Sequence, residues 1–210
     1  MAQPHTTAVI IASRPVVAGM RRYVPSDAFI IAADAGWKNA EALGLPIHLA
    51  VGDFDSAAAP KGAQELLRLP AEKDDTDTHF AAKQAVLRGF KSALMLGCMG
   101  GRADHTHANL QTLLYLAQNG LSARMEEPGC TVHCFGPGAH RLPAEAGRWL
   151  SVFAAGGPAR GVTLSGVKYP LHAATLEPNT PLGVSNAFVE PRAHIACETG
   201  WLYVYTTEET

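Results

Sequence analysis

The chain has 210 residues, 47% of them hydrophobic and 17% charged, a composition that can bury one large core or two small ones. Its formal net charge of −2 provides neither a broad basic field for nucleic acid nor a polybasic patch for a membrane surface, which excludes both classes of partner. No apolar run approaches the roughly 20 residues that span a bilayer, and the N-terminus lacks a signal-peptide pattern, so we expect a cytoplasmic protein.

The first half of the chain alternates short apolar runs with longer helical patterns, an order typical of βαβ units around a mostly parallel sheet. The predicted strands are Ala8–Ala12, Ala28–Ala33, His48–Val51 and Ser92–Leu96. The helices predicted from apolar spacings of three and four are Trp37–Leu43, Thr78–Arg88 and His105–Asn119. Polar loops follow these strands, and ligands bind beyond the strand ends of open α/β sheets.

Asp34 and Gly36 follow the second predicted strand, in the sequence Ala-Asp-Ala-Gly. An acid and a glycine at this place are typical of a turn and a helix cap, and they could equally form part of a ligand site. We include both residues in the candidate ligand-binding set.

Asp53 and Asp55 follow the third predicted strand, in the sequence Gly-Asp-Phe-Asp-Ser. Two carboxylates at a spacing of two can point the same way from an extended backbone. Mg²⁺ takes one or two carboxylates and keeps waters and phosphate oxygens as its other ligands. Both residues could instead be turn residues or helix caps. The pair is a candidate magnesium site.

A second acidic cluster, Lys-Asp-Asp-Thr-Asp-Thr from Lys73, precedes the second predicted helix, which Asp75 or Thr76 could cap. Three acids within four residues repel one another more than a cap requires, and a nearby cation would relieve that repulsion. We therefore expect an acid of this cluster to join Asp53 and Asp55 around one or two Mg²⁺ ions, with Lys73 contacting a phosphate. Asp75 and Thr76 are also included in the candidate ligand-binding set.

A glycine-rich loop, Gly-Cys-Met-Gly-Gly-Arg-Ala-Asp-His, joins the fourth predicted strand to the third helix. Glycines let backbone N–H groups approach an anion, and the helix N-terminus adds partial positive charge. The residues assigned to ligand binding in this loop are Gly100, Gly101, Arg102 and His105. Arg102 suits bidentate recognition of phosphate or carboxylate, whereas Asp104 could cap the helix or bind a polar substrate group.

The second half of the chain loses helical periodicity and becomes a series of short β-rich runs separated by Gly, Pro and Asn. The runs are Thr131–Phe135, Trp149–Ala154, Gly161–Leu164, Ala193–Cys197 and Trp201–Thr206. We therefore predict an α/β domain at residues 1–122 and a smaller all-β sandwich at residues 123–210.

The four cysteines are scattered and lack zinc-ligand spacing, so we expect reduced thiols. No serine lies in a nucleophile elbow, and no cysteine has an obvious activating neighbour. Covalent catalysis is therefore not expected. Charge neutralisation by metal, Lys and Arg favours transfer of a phosphate-containing group from a nucleotide.

Five of these motifs, in this order and spacing, resemble the thiamine pyrophosphokinase family over nearly the whole chain. The motifs are Ala33–Gly36, Gly52–Ser56, Lys73–Asp77, Gly100–His105 and Gly183–Asn186. A further run, Gly161–Leu171, looks like the family's C-terminal domain. One departure from the family pattern is Ala35, where a second glycine is usual.

The resemblance implies transfer of a diphosphate from ATP to the hydroxyl of thiamine, with release of AMP, by a homodimer whose active sites lie between subunits. It implies that the Mg²⁺ ligands are Asp53, Asp55 and Asp77. It also implies that Arg102 and Asp104 contact nucleotide and thiamine, and that Ser185 and Asn186 hold thiamine. Two alternatives stay open, a pyrophosphokinase for another hydroxymethyl heterocycle such as a pterin, and a protein that binds thiamine diphosphate without turnover.

Overall fold

The computed structural model describes residues 5–54, 59–70, 72 and 74–208. It divides the chain into two compact units, Met1–Pro128 and Gly129–Thr210. The first unit is a parallel α/β domain and the second is built from antiparallel strands, which confirms the predicted fold class. The first unit extends past the predicted boundary at residue 122 because the segment that follows forms one more strand of its parallel sheet.

The described residues of the first unit form six parallel strands and three α-helices. In chain order its elements are β1 (Thr7–Ile11), a 3₁₀ turn (Ala18–Tyr23), β2 (Phe29–Ala33), α1 (Gly36–Ala42), β3 (Leu49–Gly52), β4 (Glu65–Arg68), α2 (Asp77–Leu87), β5 (Ser92–Leu96), α3 (Ala103–Gln118) and β6 (Ser122–Glu127). The strand order is β6-β5-β1-β2-β3-β4. Within the described residues, no helix is both long and apolar enough to cross a membrane.

The central strands of the first unit are buried along almost their whole length, with Ile10, Ile31 and Leu94 among the fully buried side chains. A parallel strand covered by helices on both faces needs apolar residues at successive positions, which is why these strands read as continuous apolar runs. Because all six strands run the same way, the loops that follow them meet at one edge of the sheet.

In the second unit, the described residues 129–208 form eight strands. They are β7 (Cys130–Phe135), β8 (Gly138–Pro143), β9 (Arg148–Ala154), β10 (Ala159–Ser165), β11 (Leu171–Leu176), β12 (Gly183–Ala187), β13 (Arg192–Cys197) and β14 (Leu202–Glu208). Four pair in the order β12-β9-β14-β7 and four in the order β11-β10-β13-β8. Val152 and Val204 of the first set share one apolar core with Val162 and Ile195 of the second, as in a sandwich.

Candidate active site

Three carboxylates from separate elements of the first unit converge at the carboxyl edge of its sheet. Asp34 follows β2, Asp53 follows β3, and Asp77 is the first residue of α2. Each offers a carboxylate oxygen, and these oxygens all lie within 4.8 Å of one another. Two of them were predicted metal ligands, whereas Asp34 was assigned only to ligand binding. Two other predicted residues, Asp55 and Lys73, lie outside the described part of the chain.

The backbone holds Asp34 in the left-handed region, with φ of 48°, and Phe54 beside Asp53 is left-handed as well, at 55°. Such a conformation costs a non-glycine residue on the order of 1–3 kcal/mol, and residues held in it are often clustered at functional sites. Asp34 is retained there by a hydrogen bond from its N–H to the Val51 carbonyl, at 2.8 Å. Ala35 has φ of −66°, so this turn does not need the glycine that the family usually has at that position.

The chemistry of the three carboxylates fits a magnesium ion. Asp34 Oδ1 is buried and accepts no hydrogen bond from the described residues. A buried carboxylate oxygen without a donor is costly, since it has lost water and gained nothing. Carboxylate oxygens are hard ligands of the kind that Mg²⁺ prefers, and a divalent cation would offset the repulsion among three negative charges.

The acidic loop before α2 divides its side chains between capping, an ion pair and the carboxylate cluster. The Thr76 hydroxyl caps α2 by accepting the His79 N–H at 3.1 Å. Asp75 pairs with Lys83 at 2.6 Å, and this hydrogen bond raises the pKa of the Lys83 ammonium. Lys83 thus relieves part of the repulsion among these acids, which was the reason for predicting a metal here. Of the three acids Asp74, Asp75 and Asp77, only Asp77 joins the carboxylate cluster.

The glycine-rich loop after β5 uses its N–H groups within the protein. Glu127 Oε1 accepts the N–H of Cys98 at 2.6 Å and of Met99 at 3.1 Å, and the Thr106 hydroxyl accepts that of Gly100 at 3.1 Å. Of these three residues, Gly100 was predicted to bind a ligand. Because its amide donates to Thr106, an anion near Gly100 would have to be met by other groups.

Arg102 and Asp104 form an exposed ion pair at 2.5 Å. Arg102, by two N–H groups, donates to both carboxylate oxygens, and this hydrogen bonding lowers the pKa of Asp104 to about 2. The His105 N–H also donates to Asp104, at 3.0 Å. Asp104 is the second residue of α3 and does not cap the helix, whose N-cap is Arg102. The pair therefore keeps both charges at any ordinary pH.

Two pockets adjoin at this edge, and they share Ser13, Thr78 and His105. The acidic pocket, about 220 Å³, is further lined by Asp34, Asp75, Thr76 and Asp77. The basic pocket, about 240 Å³, is further lined by Arg14, Gly97, Arg102 and Asn109. Groups that could neutralise phosphates thus lie next to groups that could hold a metal.

Sequence reasoning missed Ser13 and Arg14, although both lie in the loop after β1 and the strand-end rule could have found them. Asn39 Nδ2 holds this loop by donating to the carbonyls of Ala12 and Arg14, at 2.7 Å each. On the other side of the basic pocket, Asn109 Nδ2 donates to the Cys98 carbonyl at 2.7 Å. Two amide side chains therefore fix the loops that present the arginines.

In the second unit, Ser185 and Asn186 have different surroundings. Asn186 is buried, and its amide accepts the N–H of Tyr169 at 2.9 Å and donates to its carbonyl at 2.7 Å, which clamps that loop. Ser185 is exposed and left-handed, with φ of 56°, at a register irregularity between β12 and β9. A cavity of about 520 Å³ elsewhere in this unit, beside Trp149 and Phe188, includes neither of the two predicted residues.

Comparison with family models matches both halves of the chain. The model of the thiamin pyrophosphokinase catalytic domain matches residues 20–125, and that of the thiamin pyrophosphokinase vitamin B1 binding domain matches residues 139–202. Among curated proteins, the chain is 28% identical over 165 residues to the thiamine pyrophosphokinase of Bacillus subtilis (strain 168). That alignment covers 75% of this chain and 77% of the relative.

Solved structures with this fold come from bacteria and fungi. The chain resembles the thiamine pyrophosphokinase of Bacillus subtilis with a TM-score of 0.87 at 24% identity, covering 97% of this chain and 100% of that one. It resembles a thiamin pyrophosphokinase family protein from Enterococcus faecalis with a TM-score of 0.81 at 26% identity, and the match covers 97% of this chain and 100% of that one. The match to the thiamin pyrophosphokinase from Candida albicans has a TM-score of 0.78 at 12% identity and covers 98% of this chain and 90% of that one. At this low identity it shows a shared fold alone.

Proposed function

The chain belongs to the thiamin pyrophosphokinase family, and from that premise we propose that its carboxylate cluster and the adjoining basic pocket are where diphosphate passes from ATP to thiamine. The observation that carries this proposal is the approach of Asp34, Asp53 and Asp77 to within 4.8 Å. A diphosphate donor brings several negative charges, and this edge of the sheet offers a metal-binding group beside two guanidinium groups.

The three carboxylates would hold Mg²⁺, with Asp55 as a further ligand predicted from the sequence. A bound Mg²⁺ would neutralise charge on the phosphates as the transferred group separates from its donor. The protein's own part is to fix the ligands in place, and the strained backbone at Asp34 does this before any nucleotide binds.

The arginines would bind the nucleotide phosphates. Arg14 and Arg102 both line the basic pocket, and a guanidinium can donate two parallel hydrogen bonds to one phosphate. Arg102 must exchange its contact with Asp104 for such a bond or share its donors between the two. Both residues of that pair are mostly exposed, so this exchange costs little.

We propose direct attack of the thiamine hydroxyl oxygen on the β-phosphorus of ATP. The new O–P bond forms as the bond from the β-phosphorus to the bridging oxygen of AMP breaks, and the hydroxyl proton passes to solvent or an unassigned base. The thiols support a mechanism without a covalent enzyme intermediate. Burial raises the pKa of Cys98 and Cys197, and that of Cys134 to about 12, so these three are poor nucleophiles near neutral pH.

The product identifies the reaction. We expect protein, Mg-ATP and thiamine to yield AMP and thiamine diphosphate in equal amounts, measured by chromatography. ADP in place of AMP would contradict diphosphate transfer. Turnover with a hydroxymethylpterin but not with thiamine would favour the pterin alternative, which the match to a vitamin B1 binding domain does not favour.

Ser185 and Asn186 should respond differently to substitution. Ser185→Ala is expected to raise the KM for thiamine at least about threefold, or ~0.65 kcal/mol, with the KM for ATP unchanged. Asn186→Ala leaves the Tyr169 backbone groups without partners and should cost about 1–3 kcal/mol of folding free energy. Steady-state kinetics and thermal melting separate the two effects. A Ser185→Ala protein with unchanged thiamine KM would remove Ser185 from the acceptor site.

A homodimer with active sites between subunits stays a prediction, which sedimentation would test. The cytoplasmic location also stays a prediction, one consistent with the use of ATP as a substrate.

A further inference from the structure

Glu127, the last residue of β6, places a buried carboxylate against the glycine-rich loop. Glu127 is only 8% exposed. Its Oε1 accepts hydrogen bonds from two consecutive backbone N–H groups, those of Cys98 and Met99. Hydrogen bonds from neutral donors to a carboxylate are shorter and stronger than neutral pairs, and the Cys98 bond is 2.6 Å long. Glu127 therefore helps to hold the shape of this loop.

The same carboxylate lies within electrostatic range of Arg14. The Arg14 charge stabilises the ionised form of Glu127, and the Arg14 guanidinium lies so close to Gly101 that a side chain there would collide with it. Arg14 thus lies between the glycine-rich loop and the basic pocket that it lines. A negative charge behind it restricts where the guanidinium can go.

Stability does not account for this arrangement. Burial raises the pKa of Glu127 above its ordinary value, although the loop amides and Arg14 act in the opposite direction. When the pKa of a carboxyl group is higher in the folded state than in the unfolded state, its ionisation lowers the free energy of unfolding. This cost builds up as the pH rises from the unfolded-state pKa to the folded-state pKa. Ionisation of Glu127 therefore opposes folding, which suggests that the carboxylate is retained for another reason.

We propose that Glu127 is a positioning residue for the nucleotide: its two hydrogen bonds hold the glycine-rich loop, and its charge holds Arg14, in the arrangement that binds the phosphates of ATP. This inference rests on the proposed function of the adjoining pockets. Glu127 lines neither of the two pockets, whereas Arg14 lines the basic one, so we expect its effect to be on ATP binding rather than on thiamine binding.

The test compares Glu127→Gln and Glu127→Ala with Glu126→Gln. Glu126 is equally buried on the same strand but pairs with Arg124 at 2.9 Å, and neighbouring strand residues face opposite sides. Glu127→Gln keeps an acceptor oxygen and loses the charge, and we expect the KM for ATP to rise at least about fivefold with the KM for thiamine within about twofold. Its melting temperature at pH 8 should be no lower than that of the wild type. Glu126→Gln should leave both KM values unchanged.

Glu127→Ala removes the acceptor as well, so hydrogen exchange at the Cys98 and Met99 amides should accelerate. This readout needs no nucleotide, which separates the inference from the proposed function: a wild-type protein that forms no AMP contradicts the function, whereas unchanged amide exchange in Glu127→Ala contradicts the positioning role. If Glu127→Ala does not fold, Glu127→Gln decides. A KM for ATP within about twofold of the wild type in Glu127→Gln overturns the proposal, as does an equal rise in Glu126→Gln.

Discussion

Replacing Asp53 with asparagine is expected to lower kcat for thiamine diphosphate formation at least about tenfold, a loss of ~1.4 kcal/mol in transition-state stabilisation. The substitution keeps the shape of the side chain and removes its charge. Because each of the three clustered carboxylates offers one ligand oxygen to the same site, the same result is expected for Asp34→Asn and Asp77→Asn. Removal of Mg²⁺ with a chelator should abolish turnover reversibly.

Asp74→Asn is the matched control. Asp74 lies in the same acidic loop as Asp77 but is exposed and is not one of the three clustered carboxylates. The Asp74→Asn protein should retain the wild-type kcat. Titration with Mn²⁺, followed by water-proton relaxation, should show weaker binding in Asp53→Asn and unchanged binding in Asp74→Asn. Full activity in Asp53→Asn, or weakened metal binding in both proteins, would contradict the metal assignment.

The strands of the first unit were predictable to the extent that burial imposes an apolar pattern. β1, β2, β3 and β5 lie inside the sheet and were all identified within a residue or two. β4 was missed because Glu-Leu-Leu-Arg is an edge strand whose residues are mostly exposed, and exposure removes the pattern. In the second unit β8, β11 and β12 were also missed, and each is likewise the last strand of its sheet, with four of six, three of six and two of five residues exposed.

The sequence placed several acids at one edge of the sheet because parallel strands end together. It could not decide between a cap and a ligand for Asp34, because that choice depends on a left-handed backbone that places its carboxylate beside those of Asp53 and Asp77. The pairing of Asp75 with Lys83, two turns into α2, was likewise not evident from the repulsion argument.

Glu127 shows where sequence reasoning stops. The run Ser-Ala-Arg-Met-Glu-Glu carries three charged residues in six and gives no sign of a buried strand, so β6 was not predicted. The two glutamates are tolerated inside because one pairs with Arg124 and the other accepts loop amides. Both partners are set by tertiary structure. A carboxylate whose donors are backbone amides 28 and 29 residues away leaves no local signal.

Gly36→Ala is expected to lower both stability and turnover. Gly36 begins α1, and an added methyl group would collide with the backbone carbonyl of Ile11 in β1. Alanine favours a helix over glycine by up to about 1 kcal/mol, but that gain applies to an interior position with free space. Overpacking costs about 1–3 kcal/mol, and a backbone atom of a central strand cannot move aside as a side chain can, so the collision should prevail. A melting temperature lower by about 5 °C corresponds to such a loss in a chain of this size.

The functional part of this effect follows from the position of Gly36 directly after the Asp34 turn. If α1 retreats from β1, the left-handed turn that presents Asp34 moves with it, and the three carboxylates no longer converge. We therefore expect weaker Mn²⁺ binding and a kcat at least about tenfold lower at temperatures where the variant is still folded. Gly19→Ala is the control, because Gly19 is exposed and an added methyl group there meets no atom within 4 Å. A Gly36→Ala protein that melts lower yet binds Mn²⁺ and turns over as the wild type does would show that the packing of α1 and the geometry of the carboxylate cluster are independent.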